Sequence, residues 1–438
     1  MALSGGKSLA GVLALGLVGF AATSVLAAGP DWSKVPVKTV KLFYPGQSGS
    51  QWLRSPEHKM GNRQVPAGRP CLDCHEADET DMGNAIVKGG RLEPNPIDGK
   101  PGTLDIAIQA AYDSTNAYLR FQWKTRNPYP GEAHPHLRFD GKAWVPHGGP
   151  RLDADVRDGR QPALYEDRLA LMIDDGKVEN FAVHGCWVTC HDGMRDMPKA
   201  ASAQAVAAHP LLGQAMGKSE VRKFLPSTRS GDAWDSTRTA EEIARIKAAG
   251  GFLDLMQWRA HRSNPAGMAD DGYVLDYRLA DAGKDAFSSN LDKKTGLPKY
   301  MYDPAKAGAR AIRADDLRKP GKPQQLVVGV NAIPFDAKVA WKEGDLIPEV
   351  VVNRAQAEGS AADNADVRGT WKDGVWTVVW ARPLNLANAD DKGLKPGGVY
   401  SVGIAVHDDN MASRGHYVGF PVTLGLGAKA AIEAVKVE

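Results

Sequence analysis

Residues 103 to 123 read "TLDIAIQAAYDSTNAYLRFQW". Leu104, Ile106 and Ile108 lie on one face of the first run; after "DSTN", Leu119, Phe121 and Trp123 share one face, with Tyr118, Arg120 and Gln122 on the other. Apolar alternation with period two, broken by a turn, describes two half-buried strands. The signal recurs in "RLALMID", "NFAVHG", "FLDLMQW", "YVLDYRL", "QLVVGV", "VWTVVW", "GVYSVGIAV" and "HYVGFPVTL". Asp373-Gly374 in "GTWKDGVWTVVW" adds a hairpin, because this pair accepts the positive φ of a two-residue turn. Many short strands separated by turns predict a mainly β fold, an antiparallel β-sandwich over residues 102–427.

Other stretches depart from that pattern. A helical insertion is expected at about 199–250, where "KAASAQAVAAHPLLGQAMG" is alanine-rich and "TRTAEEIARIKAAGG" carries a capping box of Thr239 with Glu242. Residues 28–101, rich in proline, glycine and charge, read as an irregular N-terminal segment, and residues 428–438 as a tail. At the start, Lys7 precedes an apolar run from Leu9 to Ala22 and small residues follow to Ala27. That order is expected of a signal peptide over residues 1–27, placing the mature chain in the periplasm. No later stretch is long and apolar enough to span a membrane. With 54 Lys and Arg against 52 Asp and Glu, charge gives no support to nucleic acid as a partner.

All 4 cysteines fall in two pairs, each followed at once by histidine. The pairs are "CLDCH", with Cys71, Cys74 and His75, and "GCWVTCH", with Cys186, Cys190 and His191. Disulfides or a zinc site explain paired cysteines in an oxidising compartment, but neither needs the histidines. Covalent haem c attachment does: two thiols add to the two porphyrin vinyl groups, and the next residue is placed under the iron. Two covalently bound haem c groups are therefore expected, with His75 and His191 as proximal ligands. The second motif has one extra residue, which must bulge outward for both thioethers to form.

Taken in order, "AAYDSTNAYLRFQW", "YEDRLALMIDDG", "FLDLMQWRAHRSNP" and "VYSVGIAVHDDNMASRGHYVGFPVTLGLG" resemble the haem-binding domain of the ethylbenzene dehydrogenase gamma-subunit family. The resemblance spans roughly residues 102–427. It implies a β-sandwich holding one haem, working in periplasmic electron transfer and often beside a molybdenum enzyme. That family holds a b-type haem through methionine and lysine, whereas this chain offers Cys186, Cys190 and His191. The family's ligand pair is not carried over, and the chain looks closer to stand-alone dihaem c-type cytochromes built on the same sandwich.

Distal ligands must come from sequence able to pass round the macrocycle. For the first haem, His58 lies 13 residues before Cys71, with Met60, Met82, His134 and His136 in competition. For the second, "VYSVGIAVH" and "HYVGFPVTL" place His407 and His416 near opposite each other. His416 is the leading candidate, with His407, Met411 and, more weakly, His261 as alternatives. The paired aspartates, such as Asp270-Asp271 and Asp390-Asp391, read as solvated turns, with a calcium site left open.

The leading functional expectation is a periplasmic dihaem c-type cytochrome carrying single electrons between redox protein partners, not an enzyme. The alternatives are a haem subunit of a periplasmic molybdenum oxidoreductase complex, or a haem enzyme with one open iron site.

Overall fold

The computed structural model describes residues 29–280, 283–364, 366–386 and 388–438. The expected signal peptide lies outside the described residues. Among those residues, no helix is long and apolar enough to cross a membrane.

One large mixed sheet of 13 strands organises the chain. Its strands are β1 (Lys38–Phe43), β2 (Thr103–Tyr112), β3 (Asn116–Lys124), β4 (Arg168–Asp174), β5 (Leu253–Arg259), β6 (Asp270–Val274), β7 (Arg278–Ala280), β8 (Asp366–Lys372), β9 (Val375–Pro383), β10 (Val399–His407), β11 (Tyr417–Val418), β12 (Val422–Leu426) and β13 (Ile432–Lys436). The order along the sheet is β8-β9-β3-β2-β1-β11-β10-β4-β5-β6-β7, with β12 and β13 branching off between β10 and β2.

Alternation explains the layering. In β9, Trp376, Val378 and Trp380 point inward and their neighbours are only partly covered. Met256 and Trp258 of β5 point into the same core. Trp258 packs against Trp376 with ring centroids 4.9 Å apart and against Trp123 at 6.1 Å. Since β9 lies near one end of the sheet and β5 near the other, these contacts show the sheet curling until its two halves face each other. The mainly β expectation is met, with two layers formed from a single sheet rather than from two separate ones. The Asp373-Gly374 hairpin is present, with φ of 52° and 81°.

Strand β5 is buried along its whole length. Its even-numbered residues face the core; Leu255, Gln257 and Arg259 face a cavity on the opposite side. Strands β4 and β10 are likewise covered on both faces, which is why they read as nearly continuous apolar runs.

Several expectations need correction. "NFAVHG" is not a strand: Phe181–His184 is a helical turn, entered through Asn180 at φ 62° and left through Gly185 at φ 55°. "QLVVGV" yields only Leu326–Val327, and "HYVGFPVTL" splits into β11 and β12 around Gly419-Phe420-Pro421. The C-terminal tail carries β13, which buries Ile432 and Ala434 and pairs in parallel with β2 and β12. The N-terminal segment, although largely irregular, supplies β1 to the middle of the sheet. It is also tied to the C-terminal hairpin by a buried ion pair between Arg414 and Glu93, with the Tyr44 hydroxyl bonded to both. The insertion contains helices at Ala203–Ala208 and Ala240–Ala248, the latter with the Thr239–Glu242 capping box.

Candidate haem sites

The four cysteines are free thiols in two separated pairs. Among the described residues, no three Cys or His side chains gather their ligand atoms into one metal-binding group. Each pair opens onto its own cavity.

The first cavity, of about 510 Å³, is lined by Cys71, Cys74, His75, His58, Met60 and Met82, with Phe43, Trp187 and Phe420 as an aromatic wall. Cys71 precedes the helical turn Leu72–His75, so the two thiols and His75 sit at i, i+3 and i+4 on one face. His58 faces them from a 3-10 turn opened by Pro56. The His58 and His75 rings are nearly parallel, 12° apart, with centroids separated by 6.1 Å. That separation suits two imidazoles sharing one metal ion through bonds of about 2 Å. His58 Nδ1–H donates to the Leu53 carbonyl at 2.9 Å, and His75 Nδ1 lies 3.5 Å from an Asp78 carboxylate oxygen. For His58, such anchoring of Nδ1 is how a protein aims Nε2 at a metal; His75 Nδ1 makes no hydrogen bond among the described residues. Cys74 is exposed and Met60 is 80% exposed, so this cavity has an open edge.

The second cavity, of about 280 Å³, is lined by Cys186, Cys190, Met194, His407 and His416 together with one face of β10, β4 and β5. Cys186 lies in the 3-10 turn Gly185–Thr189, and Cys190 relaxes to an extended conformation after it. This absorbs the extra residue of the motif and returns the second thiol to the cavity. Burial raises the Cys186 thiol to about 11. His407 and His416 stack with centroids 5.0 Å apart. His416 Nδ1–H donates to the Ser413 carbonyl at 2.7 Å, and burial pulls its pKa down to about 3. His191 does not line this cavity. Its ring stacks on Phe224 at 3.9 Å, and Nε2 lies 2.9 Å from the Val188 carbonyl oxygen and 3.1 Å from that of Phe224.

Consecutive residues thus face different cavities, Cys186 the second and Trp187 the first. Trp187 stacks on Phe43 at 5.4 Å and on Phe420 at 5.7 Å, and Phe420 in turn lies 6.4 Å from the His75 ring. A further cavity of about 270 Å³ shares Leu53, Val65 and Trp187 with the first and carries no thiol.

The remaining sequence candidates are placed elsewhere. Met411 is buried and lines neither thiol-bearing cavity. His134 and His136 gather with His261 in a buried cluster; the His134 and His261 rings are 5.3 Å apart. Asp271 and Asp391 come within 4.8 Å of Asp254, whose carboxylate already accepts from Arg382 and the Lys392 backbone N–H. Sequence reasoning missed the cations of the second cavity, which come from six separate parts of the chain, around residues 168, 195, 222, 259, 278 and 414.

The histidine cluster yields an expectation for stability. Burial depresses His136 from 6.5 to about 3 and His261 to about 4, and lowers His134 well below its usual value. Between these values and 6.5 the unfolded chain binds more protons than the folded one, so stability is full above about pH 6.5 and falls as pH drops. A loss of about 2 kcal/mol per histidine is expected by about pH 5. Urea midpoints measured from neutral to mildly acid pH check this, and His261→Gln should flatten the slope.

The chain belongs to the ethylbenzene dehydrogenase family, whose profile matches residues 30–419. It is similar to a protein named cytochrome c-552 from Stutzerimonas stutzeri, 26% identical over 422 residues and covering 96% of each chain. A protein named cytochrome c-551 from Rhodocyclus tenuis is 29% identical over 173 residues, which covers 39% of this chain and 58% of that one.

Proposed function

We propose that this chain is a periplasmic dihaem c-type cytochrome that passes single electrons between redox protein partners. The observation that carries the reading is that each Cys/Cys/His motif brings its two thiols to one cavity, separate from the other, and that each cavity holds histidine from outside its motif, His58 in the first and His407 and His416 in the second. The names of the two similar proteins support the haem c assignment.

When bound, haem supplies one-electron chemistry at iron; the protein supplies attachment, ligation and surroundings. In the first site, Cys71 and Cys74 would carry the thioethers, His75 and His58 would ligate the iron, and the aromatic wall would exclude water from one side. In the second site, Cys186 and Cys190 would carry the thioethers and His416 would ligate the iron. His191 fits as proximal ligand only after its ring leaves Phe224. The open edge by Cys74 is where a redox partner reaches the first site. Membership of a family associated with molybdenum enzyme complexes favours a second reading, in which this chain is the haem subunit of such a complex. Co-purification with a second chain in stoichiometric amount would decide for that reading.

The test is intact mass of the mature protein after denaturation, with a pyridine haemochrome spectrum. An excess of two haem groups over the polypeptide is expected. An excess of one would remove the second site, and none would return the cysteines to ordinary thiols.

A further inference from the structure

The second cavity has a polarity gradient built into its floor. Three rows of residues run across β10, β4 and β5 in register: Gly403, Met172 and Leu255; then Ala405, Ala170 and Gln257; then His407, Arg168 and Arg259. The first row is apolar and holds the thiol end, since a Cβ on Gly403 would lie 2.7 Å from Cys186 Sγ. Two alanines, Ala405 and Ala170, leave the middle row low beside Gln257. The last row carries two arginines, Arg168 and Arg259, beside His407. Four residues separate the outer rows, about 13 Å at roughly 3.3 Å per residue. That is the scale of a porphyrin, which has vinyl groups at one edge and two propionates at the other.

The cationic end is under-neutralised. Eight cationic side chains line the cavity, against the one lining carboxylate of Glu220; one of the eight, Arg414, is neutralised by Glu93 from outside the lining. Arg259 pairs with Asp270, Arg262 with Glu166, and Arg195 and Arg222 share Glu220. Among the described residues, Arg168, Arg278 and Lys223 pair with no carboxylate. Lys223 bonds to the Thr189 hydroxyl at 3.3 Å, near the thiol end, and Arg278 only to the Gln257 side-chain oxygen at 3.4 Å. Arg168 is 7% exposed, lies over the Tyr165 ring, and leaves Nε and Nη2 without a hydrogen-bond partner. A buried guanidinium with unmet donors costs several kcal/mol unless an anion meets it. Burial beside other arginines pulls Arg168 down to about 10 and Arg278 to about 9.

We propose that Arg168 and Arg278 form a carboxylate clamp for the two propionates of the second haem, fixing its orientation with the vinyl edge at Gly403 and the propionate edge at Arg168. The inference rests on the dihaem reading and adds the residues that hold the far edge. Guanidinium suits this task because its planar donors meet a carboxylate in two parallel bonds. A free oxyanion shares that chemistry, and the experiment separates the two sources.

Holo-protein carrying Arg168→Gln, Arg278→Gln or both is compared with wild type by intact mass and by redox titration of each haem. Positive charge beside a haem favours its reduced form. Both haems are therefore expected to remain attached, while the midpoint potential of the second falls in each single variant and further in the double variant. The first haem stays unshifted, and Arg168→Lys restores most of the wild-type potential. Arg278 is only partly buried, so Arg278→Gln preserves the fold if Arg168→Gln does not. Two attached haems with an unmoved second potential would overturn the clamp alone. A wild-type mass excess of one haem would overturn the dihaem reading and the clamp together. Titration with inorganic phosphate at constant ionic strength should leave the wild-type Soret band unchanged. A saturable shift that Arg168→Gln abolishes would overturn the clamp and give these cations to a free oxyanion.

Discussion

Gly61→Val is expected, on the dihaem reading, to convert the first haem from six-coordinate low-spin to a five-coordinate or water-ligated form without substituting any proposed ligand or thioether residue. Gly61 opens the helical turn Gly61–Gln64, and a Cβ there would overlap Cε1, Nδ1 and Nε2 of His58. The imidazole has little room to retreat, being held by its bond to the Leu53 carbonyl and by the Trp52 ring at 4.9 Å. A branched side chain therefore evicts it from the cavity. The visible spectrum should show high-spin bands, and the reduced protein should bind carbon monoxide at that site. His58→Ala should give the same spectrum, and Gly61→Ala a partial conversion. Mass would confirm that both haems are retained. A low-spin spectrum in both Gly61→Val and His58→Ala would pass the ligand role to Met60 or Met82, which line the same cavity.

Trp258→Ala is expected to cost about 3–5 kcal/mol, the range for deleting a large buried aromatic side chain. Trp258 is fully buried at the meeting of the two halves of the sheet, in contact with Trp123 and Trp376. Its indole N–H donates to Asn264 Oδ1 at 3.0 Å, and Gly369 packs directly on its six-membered ring. Truncation leaves a cavity, loses two aromatic contacts and removes one of the two hydrogen bonds that Asn264 Oδ1 accepts, the other coming from the Gly369 backbone N–H at 2.7 Å. Urea unfolding at matched haem content should show a lower midpoint with an unchanged slope. A loss below about 1 kcal/mol would mean that the halves are held together elsewhere.

The strands were legible where one face meets the core and the other meets solvent. Residues 103–124 and 366–383 announce themselves by alternation and by turn residues, and both hairpins form. Residues 180–185 defeated the same rule. Their alternation is real, but positive φ at Asn180 and Gly185 turns four residues into helix, and local composition does not reveal that. The last residues were hidden for another reason: β13 is short and becomes a strand only because β2 and β12 offer it open edges. At the sites, the cysteine motifs were readable because attachment chemistry demands contiguous residues. The approach of His407 to His416 was readable because a hairpin links them, and His416 does adjoin His407. Arg168 and Arg278 were not readable. One lies on β4 and the other on β7, and only the lateral order of strands brings them to one cavity. The position of His191 against Phe224 depends likewise on a segment 33 residues away.

Because Cys186 and Trp187 face opposite cavities, the boundary between the two sites is a single stretch of backbone with its aromatic packing. Packed aromatic side chains screen charge far less than water does, so an electron held on one side raises the energy of a second arriving on the other. On the dihaem reading, the protein then fills in two separated steps even where the two irons have similar intrinsic affinity. The singly loaded form persists over a wide range of ambient potential. A carrier with capacity for two electrons would in that range trade one at a time, matching partners that give or take only one.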